Sequence, residues 1–132
     1  MIGYLADTHL ALWLIDGSEK LPAIAKEMMC GGAGPWYLST VSVWEVMLKH
    51  QVRPEQMLVD AETFLGDCEA AGFKILGLEP GHIFEASRLP LIKQHKDPFD
   101  RMLLAQARRE SITLATHDKT FALYEDPHVL LV

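Results

Sequence analysis

Cysteine is scarce in this chain: only Cys30 and Cys68 occur, too few and too far apart for a disulfide framework or a zinc site. Both are expected to be free thiols in a cytoplasmic protein. Basic residues are in the minority, 12 Lys and Arg against 18 Asp and Glu, and the formal charge of −6 argues against a binder of nucleic acid working through a basic surface. An enzyme that gathers acids around a divalent cation is not excluded, because the ion is then the largest local charge. No apolar run approaches the ~20 residues that a membrane span needs. Residues 1–7 carry no basic leader and reach an acid too early for a secretory signal. Internal repeats and low-complexity segments are lacking too. What remains is an ordinary globular composition, 49% hydrophobic and 23% charged, in 132 residues: one domain, 1–132, with room for a real core.

Residues 2–6 form a short apolar run that reads as a strand buried on both faces. A short helix over 10–16 follows, then a helix over 21–29 with Pro22 in its first turn and Gly31-Gly32 as its stop. Residues 36–39 read as a strand, 41–50 and 60–71 as helices, and 73–76 as a third strand. A short helix over 81–89 is expected to turn Ile83, Ala86 and Leu89 inward. The longest regular stretch begins at Asp97, a good N-cap, with Pro98 in the first turn, and runs to Arg109 or Glu110. Residues 112–115 make a strand, 119–123 a turn of helix, and 128–132 a last edge strand. This alternation implies an α/β fold: an open, mostly parallel sheet flanked by helices on both faces. In such sheets ligands bind beyond the carboxyl ends of the strands.

Four acids from remote segments fall at that edge. Asp7 and Asp118 follow strands; Glu45 and Asp100 lie near helix starts, each on an apolar stripe. Each has a bland explanation, since Asp7 would serve as an N-cap and Ser42-x-x-Glu45 reads equally as a capping box. Asp100 shares a face with Leu103, Leu104 and Ala107, where an ionised carboxylate is costly unless a cation or several donors meet it. Capping explains any one of the four, but not all together. Carboxylates held close cannot all stay ionised without a cation, and hard oxygen ligands favour Mg²⁺ or Mn²⁺. Such an ion activates water and stabilises the charge of an in-line attack on a phosphodiester. Metal-assisted hydrolysis of a phosphate ester is the natural reaction class, with Asp7, Asp100 and Asp118 as ligands and Glu45 binding through water or orienting it.

Asp7-Thr8 after the first strand, Trp44-Glu45, His95-x-Asp97-Pro98-Phe99-Asp100-Arg101-Met102-Leu103 and Thr116-x-Asp118-x-x-Phe121 together resemble the PIN-domain ribonucleases of the VapC toxin type. The resemblance spans residues 7–121, and its most specific part is Asp97 to Arg101. It implies a single PIN-like domain and a Mg²⁺- or Mn²⁺-dependent endoribonuclease, the toxin of a toxin–antitoxin pair. It also implies a homodimer and a cognate antitoxin laid across the acidic groove. The family's four acids fall on Asp7, Glu45, Asp100 and Asp118. Asp97 competes with Asp100 for one place; aligning on the helix that follows favours Asp100 and leaves Asp97 a cap that would still touch a ligand-orienting shell. Thr116 matches a family hydroxyl that orders the acids, and Thr8 would donate to Asp7.

Other polar and aromatic residues are expected to be structural. His95 and His117 read as solvent-facing loop residues, Trp13 and Trp44 as core, Arg101 as the partner of Asp97, and Arg108-Arg109 as a solvated face. Competing functions are a phosphatase or a nuclease of another substrate on the same acids, and a catalytically silent metal-binding or partner-docking module. A phosphoaspartate phosphatase would want an acid two after Asp7, where His9 stands, and a phosphoacceptor receiver would want a second acid at that strand end.

Overall fold

In a computed structural model, residues 2–132 are described, and they form a five-stranded parallel sheet between two layers of helix. The elements in order are β1 (Tyr4–Ala6), α1 (Thr8–Asp16), α2 (Ala23–Cys30), β2 (Trp36–Ser39), α3 (Thr40–Val52), α4 (Ala61–Ala70) and β3 (Lys74–Leu76). They continue with α5 (Pro80–Ala86), α6 (Pro98–Glu110), β4 (Thr113–Thr116), a 3₁₀ helix (Lys119–Tyr124) and β5 (Val129–Leu131). The strand order is β3-β2-β1-β4-β5, with every pairing parallel. The order reverses on either side of β1, which places the carboxyl ends of β1 and β4 at the crevice where such sheets bind ligands.

Alternation along the strands builds two cores. Ala6, Leu38 and Ala115 face one way and pack with Leu10, Ala11, Ala25, Phe64 and Cys68 of α1, α2 and α4. Leu5 and Leu114 face the other way and meet Val41, Leu103, Leu104, Ala107 and Phe121. Period two in the strands and three to four in the helices are thus both satisfied, and both faces are covered. Gly17, at φ 63°, ends α1: its N–H donates to the Leu14 carbonyl and the next N–H, of Ser18, to the Trp13 carbonyl.

The observed elements match the expected ones in number and kind, with ends shifted by at most three residues. The helix expected from residue 21 begins at Ala23, because Pro22 stands at its N-cap position. Ile83 does not turn inward as expected; it is exposed, while Leu89 is buried. Arg108 is not a solvated face: it bridges Glu85 at 3.1 Å and Asp126 at 3.3 Å, tying α5 and the chain before β5 to α6. Both cysteines are free, and burial pushes the Cys68 thiol up to about 12, as suits an inert core residue.

A buried polar chain joins the two helices that carry Glu45 and Asp100. Ser39 caps α3 through the Val41 N–H and donates its hydroxyl to Gln106 Oε1 on α6. The Gln106 amide lies 3.3 Å from His82 Nδ1, which also accepts from the Glu79 N–H. With Nδ1 accepting, His82 Nε2 donates to Glu110 Oε2 at 2.9 Å.

Candidate active site

Asp7 stands at the N-cap position of α1, yet its side chain makes no capping hydrogen bond. It is 4% exposed; Oδ2 accepts from the Thr116 hydroxyl at 2.6 Å, and Oδ1 is buried with no partner among the described residues. The ordinary reason for an Asp after a strand carries little here: no capping hydrogen bond closes, and the His9 backbone N–H is the smallest of the influences on the carboxyl. Burial pushes the Asp7 carboxyl above the usual carboxylate range, against the Thr116 hydrogen bond, and the charge of Glu45 adds to the rise.

Glu45, 2% exposed, does not close a capping box either: the N-cap of α3 is Ser39, three residues before Ser42. Its Oε1 takes a hydrogen bond from the Thr8 hydroxyl at 2.7 Å, and that hydroxyl in turn accepts from Ser42. Lys49, one turn along α3, pairs with Oε2. Thr8 was expected to serve Asp7 and serves Glu45 instead, because it lies inside α1 and faces α3.

Asp97 behaves as a cap, accepting from the N–H groups of Phe99 and Asp100. Its replacement by Ala is expected to cost about 0.5–2 kcal/mol of stability, read by urea denaturation, while a fraction of any activity survives. An inactive Asp97→Ala with native stability would instead exchange the roles of Asp97 and Asp100. Arg101 does not pair with Asp97; its guanidinium donates to the Pro90 carbonyl at 2.8 Å and the Tyr124 hydroxyl at 3.2 Å, holding the loop before α6.

Asp100 meets a residue whose place in a loop predicts solvent exposure. His95 is 5% exposed, edge-on to the rings of Phe121 and Tyr124, with Nε2 2.9 Å from Asp100 Oδ2. Its Nδ1 is buried and without a partner among the described residues. No periodicity reaches a turn such as the one bridged between Ile92 and His95, so no signal pointed inward. Burial pushes the Asp100 carboxyl up to about 7 against the His95 hydrogen bond, and the charges of Asp7 and Asp97 push the same way.

Asp118 caps the 3₁₀ helix through the Thr120 N–H at 2.9 Å and takes the Thr120 hydroxyl at 2.7 Å. Burial would raise its carboxyl, but these bonds outweigh it, with His95 and His9 nearby, and hold it below the usual range. Thr116 joins the two strand-end acids, since its hydroxyl donates to Asp7 and accepts from the Asp118 N–H at 3.0 Å.

Ligand atoms of His95, Asp100 and Asp118 lie within 4.8 Å of one another. Asp7 is not of that trio, but its charge acts on Asp100. A buried carboxylate oxygen with no partner among the described residues, a carboxyl driven to about 7 by burial and by neighbouring acids, and converging oxygen donors all suit a hard divalent cation. Trp44, expected in the core, is 51% exposed, its ring 4.9 Å from that of Phe99 and inclined to it at 77°.

A family model described as the PIN domain matches residues 4–126. No match is found among curated proteins. The fold is shared with VapBC2 from Rickettsia felis bound to a DNA fragment from their promoter, at 19% identity and TM-score 0.67, over 100% of this chain and 98% of that one. A toxin-antitoxin complex from Klebsiella pneumoniae is similar at 23% identity and TM-score 0.66, over 96% and 95% of the two chains. VapBC-1 from nontypeable Haemophilus influenzae is similar at 18% identity and TM-score 0.69, over 99% and 98%.

Proposed function

Because the chain belongs to the PIN domain family, we propose that it is a VapC-type toxin, a metal-dependent endoribonuclease that hydrolyses RNA phosphodiesters at its acid cluster. The observation that carries this reading is Asp7: buried, with no capping hydrogen bond closed and one carboxylate oxygen without a partner among the described residues, beside a second buried acid. Evolution of a stable fold alone gives no reason to keep a charge there.

Asp7, Asp100 and Asp118 would hold the ion, Mg²⁺ or Mn²⁺. When bound, it supplies the positive charge that lets the acids ionise together and that offsets negative charge developing on the phosphate. Thr116 fixes Asp7 and Asp118 relative to each other, and His95 fixes the rotamer of Asp100. Glu45, held at both oxygens by Thr8 and Lys49, keeps free lone pairs with which to orient an attacking water. The protein would act in the cytoplasm as a homodimer restrained by a cognate antitoxin; no helix among the described residues is long and apolar enough to cross a membrane.

The test is cleavage of a mixed RNA pool by the purified chain, free of antitoxin, with Mg²⁺ or Mn²⁺ and with chelator. Metal-dependent cutting supports the reading. The Lys49–Glu45 ion pair favours a second one, a silent docking module whose acids are partly neutralised from within. Metal binding by calorimetry without turnover on any RNA would select it.

A further inference from the structure

Glu45 has a cation of its own. Lys49 follows it by one turn of α3 and pairs its ammonium with Glu45 Oε2; the glutamate is 2% exposed and the lysine 42%. A pair of this spacing with both ends in solvent contributes little. Here one end is buried, and among the described residues no other cation pairs with it. The ammonium also acts beyond its partner. Burial works to lower its pKa, yet the hydrogen bond and charge of Glu45, with the charges of Asp97 and Asp100, outweigh that and hold it above the usual lysine range. Lys49 therefore stands in the field of acids from both α3 and α6. Asp7 in turn feels the charge of Glu45, and Asp100 that of Asp7, so one positive charge serves a connected set of carboxylates. Lys49 also lines a cavity of about 490 Å³ with His9, Val52, Arg53 and Gln56. A compact ammonium on a flexible four-carbon stem has room there to leave the acids without any shift of the helix.

We propose that Lys49 is the resident counter-ion of the acid cluster: its ammonium compensates Glu45 while no divalent cation is bound, and it opposes the binding of that cation. This rests on the metal-dependent reading and adds to it a residue that sets metal affinity from within the chain. Two cations brought to one group of carboxylates repel each other, so each reduces what the other gains. Lys49 thus exchanges metal affinity for stability of the metal-free fold. The Lys49–Glu45 pair then marks the metal-free state of the site rather than a silent module.

The test is a pair of measurements at pH 8 on the full chain, on Lys49→Met and on Lys49→Arg: the melting temperature in chelator, and the Mg²⁺ or Mn²⁺ dissociation constant by calorimetry. Met keeps the aliphatic stem, and Lys49 is 42% exposed, so the change opens no cavity. Lys49→Met is expected to melt several degrees lower in chelator, because buried Glu45 loses its partner. It should also bind the metal on the order of tenfold tighter. Lys49→Arg keeps the charge and should return both readings toward the wild type. The opposite signs are diagnostic. A lysine that only braces α3 lowers stability and leaves affinity unchanged or weaker, and that result overturns the proposal, as does an unchanged melting temperature in chelator. Should Lys49→Met melt too low to titrate, Glu45→Gln combined with Lys49→Met removes both charges and is expected to melt close to the wild type in chelator. A double variant as unstable as the single one overturns the proposal. A wild type that binds no metal, with Lys49→Met melting lower, overturns the metal-dependent reading and leaves Lys49 a structural partner of Glu45.

Discussion

Replacing Asp100 by Asn is expected to abolish RNA cleavage and, in the same protein, to raise the melting temperature measured in chelator. The two effects share a cause. Burial and the neighbouring acids push the Asp100 carboxyl from 3.8 to about 7, so its ionised form is disfavoured in the metal-free fold. The sign follows from linkage. The unfolded chain loses this proton near 3.8 and the folded chain only near 7, so the stability it contributes is complete below about pH 4 and is lost as pH rises to about 7. At pH 8 the wild type carries the whole penalty, of the order of a few kcal/mol, and Asn carries none. Asn still offers an oxygen to His95 Nε2, so that contact survives. Each kcal/mol is roughly 2–8 °C in a domain of this size. Melts in chelator at pH 4, pH 5 and pH 8 check the stability half: the variant should gain most at pH 8, less at pH 5 and least at pH 4. Activity should fall by more than the ~10–100-fold that loss of a ligand-orienting partner costs. A variant that melts lower at pH 8 would make Asp100 a structural residue.

Asp7→Asn should remove the response to divalent metal. Mg²⁺ or Mn²⁺ bound only by the folded chain stabilises it by about 2.7 kcal/mol at one hundred times the dissociation constant, a shift of several degrees. The unpaired Asp7 Oδ1 is the natural anchor for such an ion. In the wild type, melting temperature should climb with metal concentration and fall back with chelator. In Asp7→Asn the curve should start higher, because a buried charge is gone, and stay flat. Cleavage should vanish with it. A variant that still answers metal as the wild type does would remove Asp7 from the ligand set.

The sheet and the elements that carry the four acids were legible because they depend on local signals. Short apolar runs, Pro98 behind Asp97 and an acid on the stripe of Leu103, Leu104 and Ala107 all lie within one element. What was hidden depends on which surfaces meet. Ser42-x-x-Glu45 has the spacing of a capping box, but the helix begins earlier, at a strand end, and Ser39 takes the cap. Glu45 is then free for Thr8, which is remote in sequence. His95 turns inward because Phe121 and Tyr124, some 26 and 29 residues on, wall its turn. Trp44 is apolar by composition and sits among aliphatics, yet composition does not say whether a facing element covers it. Asp7 is the instructive case: its position is that of a cap, yet its carboxyl takes its hydrogen bond from Thr116, remote in sequence, rather than from the first turn of α1.

The buried chain from Ser39 through Gln106 to His82 bears on how this sequence can drift. Changing one member strands a polar partner in a dry interior, at about 1–3 kcal/mol, whereas apolar replacement of both ends of a bond is nearly neutral. Neutral paths through these positions are therefore paired steps. Because the chain spans the start of α3 and the middle of α6, a half-completed step would loosen Glu45 and Asp100 together. Three positions outside the acid cluster thus inherit the constraint of Glu45 and Asp100.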